Sequence, residues 1–229
     1  MKIANHTAIL VFANSAKKEL EYKPIGKGEQ LFDALTESTL QKVQRTYLPV
    51  FHFTEEEQVG ANFGERFTNA IASVFEKGFE NIITIGNDTP QLTVQHLKKA
   101  AEQLAQEKTV IGPSLDGGFY LLGLKKSNFD IEVFKDLPWQ RFDLFSKIAL
   151  WFQNEASEIV KLPVFQDLDD EQDLKSALRF SKSLSSEVLQ LIITVLGHLR
   201  QLITHNYLFF DLYLHKSLYN KGSPRVFFA

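Results

Sequence analysis

Cysteine is absent from the 229 residues. That excludes a disulfide framework and any thiolate metal site, and it fits a reducing, cytoplasmic compartment. Neither sign of charge dominates: 25 Lys and Arg stand against 28 Asp and Glu, a formal net charge of −3. The cations are scattered along the chain, so the basic surplus of a nucleic-acid groove is missing and no nucleic-acid partner is expected. Long uninterrupted apolar runs are missing too. The run inside "MKIANHTAILVFA" is too short to span a membrane and reads better as a buried first strand than as a signal-peptide core. The apolar stretch "LSSEVLQLIITVLGHLRQLI" (184–203) is broken by Gly197, His198, Arg200 and Gln201, so no membrane span is expected there either. No G-x-S-x-G elbow and no G-x-x-x-x-G-K-[ST] phosphate loop occurs. The six histidines show no metal spacing. His52, His96, His198 and His205 fall within expected elements and read as surface or packing residues.

What is present is the composition of a globular domain with a sizeable core: 44% hydrophobic and 23% charged residues. The 20 phenylalanines are assigned to that core. Strand-length apolar runs alternate with stretches of helical period. "TAILVFA" (7–13), "YLPVFHF" (47–53) and "NIITIG" (81–86) predict strands, with Pro49 marking an edge or entry position. "TVIGP" (109–113), "FYLLGL" (119–124) and "EIVKLP" (158–163) predict three more. Helices are predicted over 28–46, 63–78, 93–107 and 142–155, with Thr93 as an N-cap and Gly78 as a stop. Near-continuous apolar strands between helices predict a mainly parallel sheet covered on both faces, a three-layer α/β/α sandwich. The division expected is a domain over 1–183 and a C-terminal helical extension and tail over 184–229. That extension packs on the domain or serves as a homodimer surface.

In open parallel sheets, ligands bind beyond the carboxyl ends of the strands. Three acidic loops fall at strand ends. Asp88 lies in "GNDTP" (86–90), where an Asp can simply hold a turn or cap. Asp116 lies in "GPSLDGGFYLLGL" (112–124), where Asp-Gly also suits a plain hairpin turn and glycines let backbone approach a ligand. Asp167 and Asp169 open "DLDDEQDL" (167–174). Asp170 and Glu171 are explained there by capping and by the helix dipole, whereas Asp167 and Asp169 come earlier, on the loop. Mg²⁺ takes one or two carboxylates plus substrate phosphates, and Asp88 with one of these two acids would supply such a pair.

Taken together, "QVGANFGERFTNAIASVFEKGFENIITIGNDTPQLT", "VIGPSLDGGFYLLGL" and "DLDDEQDL" resemble a bacterial family of glycosyltransferase-A-like proteins, the radical-SAM/selenodomain-associated transferases. These are distant relatives of 2-phospholactate guanylyltransferase and molybdenum-cofactor nucleotidyltransferases. The likeness covers roughly residues 7–180. It implies a nucleotide-diphospho-sugar transferase fold and a nucleotide or nucleotide-sugar partner with an acceptor it does not identify. It implies Mg²⁺ or Mn²⁺ held by Asp88, Asp167 and Asp169. It also implies Asp116 as the catalytic residue at the acceptor side, with Gly117, Gly118, Asn87, Thr89, Gln58, Arg66 and Lys23 binding substrate. The sequence departs from the family after the first strand. A loop like P-G-x-x-K-T-R-L is usual there, and this chain reads "FANSAKKELEYKPIG", with Tyr22, Lys23 and Pro24 where K-T-R is expected. A lysine serves as a point charge but cannot reproduce the arginine fork. Glycosyl transfer is the expected activity. The alternatives are nucleotidyl transfer of the guanylyltransferase type, or a non-catalytic binding or scaffold protein with a degenerate phosphate loop.

Overall fold

The strand Thr7–Phe12 (β1) is apolar on both sides, so it must be covered above and below. The computed structural model shows how; it describes residues 6–23, 25–26, 28–154 and 158–198. β1 leads through a single helical turn, Ala16–Glu19 (α1), into Glu29–Gln44 (α2). There follow Val50–Phe53 (β2), Phe63–Glu76 (α3), Asn81–Ile85 (β3), Val94–Leu104 (α4), Thr109–Pro113 (β4) and Phe119–Lys125 (β5). Ile131–Asp136 (α5), Leu144–Asn154 (α6), Ile159–Lys161 (β6) and Glu171–Ala177 (α7) complete the α/β unit. A further helix (α8) begins at 186 and continues to 198, where the described residues end.

The six strands run in the order β2-β1-β3-β5-β4-β6. β1 pairs parallel with β2 and β3, and β4 pairs parallel with β6. Only β5 is reversed, because a tight turn joins it to β4. The sheet is therefore mainly parallel, and β2 with its leading Pro49 forms one edge, where a missing N–H does least harm. Side chains alternate between the faces. Ile9 and Val11 pack with Val43 of α2 and with Leu97, Ala101 and Leu104 of α4. Ala8 and Leu10 pack with Phe67, Ile71 and Val74 of α3, Phe134 of α5, and Ile148 and Phe152 of α6. The result is the three-layer sandwich that the strand pattern predicts.

Local chemistry fixes the element ends. Thr93 caps α4 by accepting from His96 N–H, and the His96 ring takes the reciprocal place in a capping box. Gly78 ends α3 with φ +95°, a conformation glycine adopts without steric cost. Asp170 caps α7, again in a capping box, with Asp173. β2 begins at Val50, not Tyr47, because residues 45–47 form the turn that closes α2.

A third apolar cluster lies at one end of the sandwich. Leu31, Phe32 and Leu35 of α2 meet Leu168, Leu174 and Ala177, and Val188, Ile192 and Val195 of α8 complete it. The described part of α8 thus buries one face against α2 and α7. Residues 199–229, and with them His205 and the rest of the expected extension, lie outside the described residues. Among the described residues no helix is long and apolar enough to cross a membrane. Ile192 is fully buried, so Ile192→Ala should cost roughly 2–5 kcal/mol in urea unfolding. A helix that is a dispensable appendage would leave the midpoint unchanged.

Candidate functional site

A cleft of about 540 Å³ opens at the carboxyl ends of β1, β3, β4 and β6. β1 delivers Ala13 and Asn14 to it, and β3 delivers Gly86, Asn87 and Asp88. The β4–β5 turn delivers Ser114, Asp116 and Gly118. β6 lies at the far edge of the sheet, yet its loop brings Asp167 and Asp169 to the same cleft.

Backbone hydrogen bonds explain that long reach. Leu162 N–H donates to Ile111 C=O at 2.8 Å, Phe165 N–H to Pro113 C=O at 3.1 Å, and Leu115 N–H to Phe165 C=O at 3.0 Å. The chain thereby continues beside β4 as a parallel extension of β6 before it turns toward β3. Tyr120 secures the extension: its ring stacks on Phe165 with centroids 4.9 Å apart, and its hydroxyl donates to Pro163 C=O at 2.9 Å. A Cβ at Gly112 would strike the Tyr120 ring, so glycine is required beneath it. Beyond it, Leu168 N–H donates to Asp88 C=O at 3.0 Å. That bond places the β6 acids beside the β3 acid.

The acids meet on one cation. Lys23 Nζ lies 2.5 Å from Asp88 Oδ2, 2.8 Å from Asp169 Oδ1 and 2.9 Å from Glu19 Oε1. Its side chain is only 12% exposed. Burial alone would lower the ammonium's pKa, but Asp88, Glu19 and Asp169 overcome it and hold the value well above the ordinary range. Among the described residues the bond partner of the Asp88 carboxylate is Lys23, not an N–H of its own loop. Asp167 is placed differently. The Thr89 hydroxyl donates to its Oδ1. Burial, then the neighbouring Asp88, pushes its carboxyl from 3.8 up to about 8, against the pull of Thr89. Asp167 therefore holds its proton well above the ordinary carboxylate range.

The other expected site residues divide into those that line the cleft and those that support it. Gln58, Arg66, Asn87, Asp116, Gly118 and Lys23 line it. Asn87 is buried, and its amide donates to Thr36 Oγ1 at 2.8 Å, which ties the β3 loop to α2. Thr89 reaches the cleft only through Asp167. Asp116 accepts from Ser114 Oγ and from Gly118 N–H, the latter at 2.9 Å, so it holds the hairpin turn while lining the cleft. Gly117, with φ +92°, supports the turn from behind, and a Cβ on it would strike the Phe142 backbone. Of the cleft's three cations, Lys23 is held as described and Arg141 lies 3.3 Å from Asp143. Among the described residues Arg66 has no ion pair.

Two features of the site escaped sequence reasoning. Glu19 is buried at the root of the cleft and accepts from Asn14 Nδ2 at 3.1 Å. Its i,i+4 spacing to Lys23 was the available signal. The second is an aromatic wall opposite the acids. Phe12 and Phe67 meet edge-on with centroids 5.2 Å apart, Phe63 stacks on Phe67 at 5.7 Å, and Trp139 meets Phe67 at 5.1 Å. Gly64 leaves room for the Trp139 ring. Among the described residues no group of three or more His, Asp and Glu side chains is arranged to hold a metal ion as it stands.

Comparison with known proteins bears on the fold. Residues 28–141 match the model of a family described as an uncharacterized protein conserved in bacteria (DUF2064). No curated protein matches the chain. A protein of Desulfovibrio desulfuricans G20, provisionally named a nucleotide-diphospho-sugar transferase, superposes with a TM-score of 0.73. It is 22% identical, over 84% of this chain and 97% of its own. Rv0371C of Mycobacterium tuberculosis H37Rv, solved in complex with manganese, gives a TM-score of 0.46 at 14% identity, over 76% of this chain and 99% of its own. CMP:2-keto-3-deoxy-manno-octonic acid synthetase complexed with CTP gives 0.46 at 12% identity, over 78% and 100%. The last two likenesses are too distant to place any residue. The first shows that this chain has the nucleotide-diphospho-sugar transferase-like fold.

Proposed function

We propose that the protein is a transferase acting on a nucleotide-sugar donor, of the radical-SAM/selenodomain-associated kind that its motifs resemble. The observation that carries this reading is the convergence of Asp88 and Asp169 on a single cationic atom at the carboxyl end of the sheet. Three carboxylates against one ammonium leave a formal excess of two negative charges. The Lys23 ammonium is thus a stand-in for a cation, and the donor set fits Mg²⁺ or Mn²⁺: two carboxylate oxygens with the remaining positions open to phosphate. Asp88 and Asp169 would hold the cation, with Asp167 as a supporting residue while it keeps its proton. When bound, the cation supplies a positive charge against which a diphosphate leaving group is stabilised.

The chain's own groups account for the remaining requirements. Arg66, without an ion pair, is free to take a phosphate or carboxylate in its planar fork. Asn87 and Thr89 hold the β3 loop and Asp167 in place, Gln58 lines the same wall as Arg66, and Gly118 brings backbone close to the ligand. Asp116 meets its turn through Oδ1 and lines the cleft, where it would orient or deprotonate an acceptor hydroxyl. Sugar transfer is favoured over nucleotidyl transfer by motif resemblance, which is an analogy. A binding protein without turnover is favoured by one observation, the replacement of K-T-R by a lysine already held by three acids. Release of a nucleoside diphosphate from a donor separates the two.

Calorimetry with Mn²⁺ and a panel of nucleotide-sugars tests the assignment. Asp88→Ala should abolish the metal-dependent part of binding, and Arg66→Ala should weaken donor binding by about ten- to a hundredfold, the worth of a charge-assisted hydrogen bond. Binding unchanged by Asp88→Ala removes the cation role. Asp167 gives a separate test of the site's electrostatics. Below pH 3.8 both folded and unfolded chains hold its proton; between there and about 8 only the folded chain does. Rising pH through that window therefore lowers stability. In EDTA, Asp167→Asn should raise the melting temperature more at pH 8 than at pH 4.5, and an equal gain at both would contradict the burial described.

A further inference from the structure

We propose that Lys23 gates the cation position: its ammonium holds Asp88 and Asp169 together in the resting protein and must leave them before a divalent cation can bind. This rests on the cation reading above and adds to it the residue that controls access. Lys23 does not merely border the acids. Its Nζ is within 2.8 Å of an oxygen from each of the two expected ligands, so cation and ammonium compete for the same oxygens. A dication gains twice the Coulomb energy of an ammonium from those carboxylates but must shed part of its hydration shell. Phosphate oxygens offset that loss. The metal alone is therefore a weak competitor, and the metal arriving with a diphosphate is a strong one.

Glu19 makes the exchange feasible. A buried ammonium stripped of every partner would face a large desolvation penalty. Glu19 Oε1 lies 2.9 Å from Nζ and is held from behind by Asn14, on the root side of the cleft. It remains as a partner when Asp88 and Asp169 are taken. Lys23 can pivot about it into the adjoining cleft of about 540 Å³, where the incoming phosphates supply the anion it has lost. The lysine stem has the rotatable bonds for such a swing, and a point charge can change partners without matching a fork. This gives a use to the altered loop after β1: a single lysine guards the acids at rest and meets phosphate when the site fills.

The test is calorimetric titration of the full chain with MnCl₂ alone. Lys23→Met should bind Mn²⁺ at least about tenfold more tightly than the unaltered protein, because a competing unit charge is gone. The gain should vanish in Lys23→Met combined with Asp88→Asn, and Lys23→Arg, which keeps a charge, should show no gain. Affinity for Mn²⁺ that is equal or weaker in Lys23→Met overturns the gate and leaves the cation reading standing. Absence of Mn²⁺ binding by both proteins overturns the cation reading and the gate with it. If Lys23→Met does not fold, ¹⁵N NMR of the lysine ammonium groups in the unaltered protein decides. The Lys23 resonance should move on addition of MgCl₂ with inorganic pyrophosphate, and a resonance that stays in place overturns the proposal.

Discussion

One ammonium held by three carboxylates ties together pieces of chain that are far apart in sequence. Glu19 and Lys23 follow β1, Asp88 follows β3, and Asp169 follows β6. Their meeting requires the sheet to be complete. β6 lies beside β4 at the edge of the sheet, and its acids reach β3 because residues 162–165 continue in register beside β4 and Leu168 then bonds Asp88. The site is thus a readout of correct strand order. A misplaced β6 would leave Asp88 and Lys23 without their third partner. Removing one member of such a buried ionic group is expensive, since the charge left behind has neither water nor counter-ion.

The cleft has two chemically unlike ends. One is acidic, with Glu19, Asp88 and Asp169 around Lys23 and with Asp116 and Asp167 on the same cleft. The other is an aromatic wall built by Phe12, Phe63, Phe67, Phe119 and Trp139. The sandwich produces this division by itself. The aromatic rings are the outer margin of the same apolar cluster that seats α3, α5 and α6 on the sheet, whereas the acids sit on loops that have left the sheet. A donor with a charged diphosphate and a ring-shaped base or sugar matches that polarity, while burial of charge at one end keeps solvent from screening it.

Much of this was legible in the sequence because the signals were local. The strands are short apolar runs bounded by turn residues, and all six lie where the runs lie. Thr93 and Asp170 cap helices as their positions before apolar-periodic segments indicate. Strand-end placement put Asp88, Asp167 and Asp169 on loops at one end of the sheet, without saying which of the two later acids would stand beside Asp88. What was not legible depends on contacts between distant segments. No pattern in "GNDTP" shows that Thr89 is committed to Asp167, or that Asn87 holds Thr36. Lys23 read as a residue for phosphate, since its acidic partners are 65 and 146 positions further along the chain, at Asp88 and Asp169. The short helices α1 and α5 have too few turns to show a period.

The most direct test is a crystal structure of the protein soaked with Mn²⁺ and a nucleoside diphosphate, read by anomalous scattering. A manganese peak bonded by Asp88 and Asp169, with Lys23 withdrawn toward Glu19 and the phosphates, is the outcome the proposal predicts. A peak elsewhere, or a Lys23 still seated between the two acids beside a bound nucleotide, would contradict it.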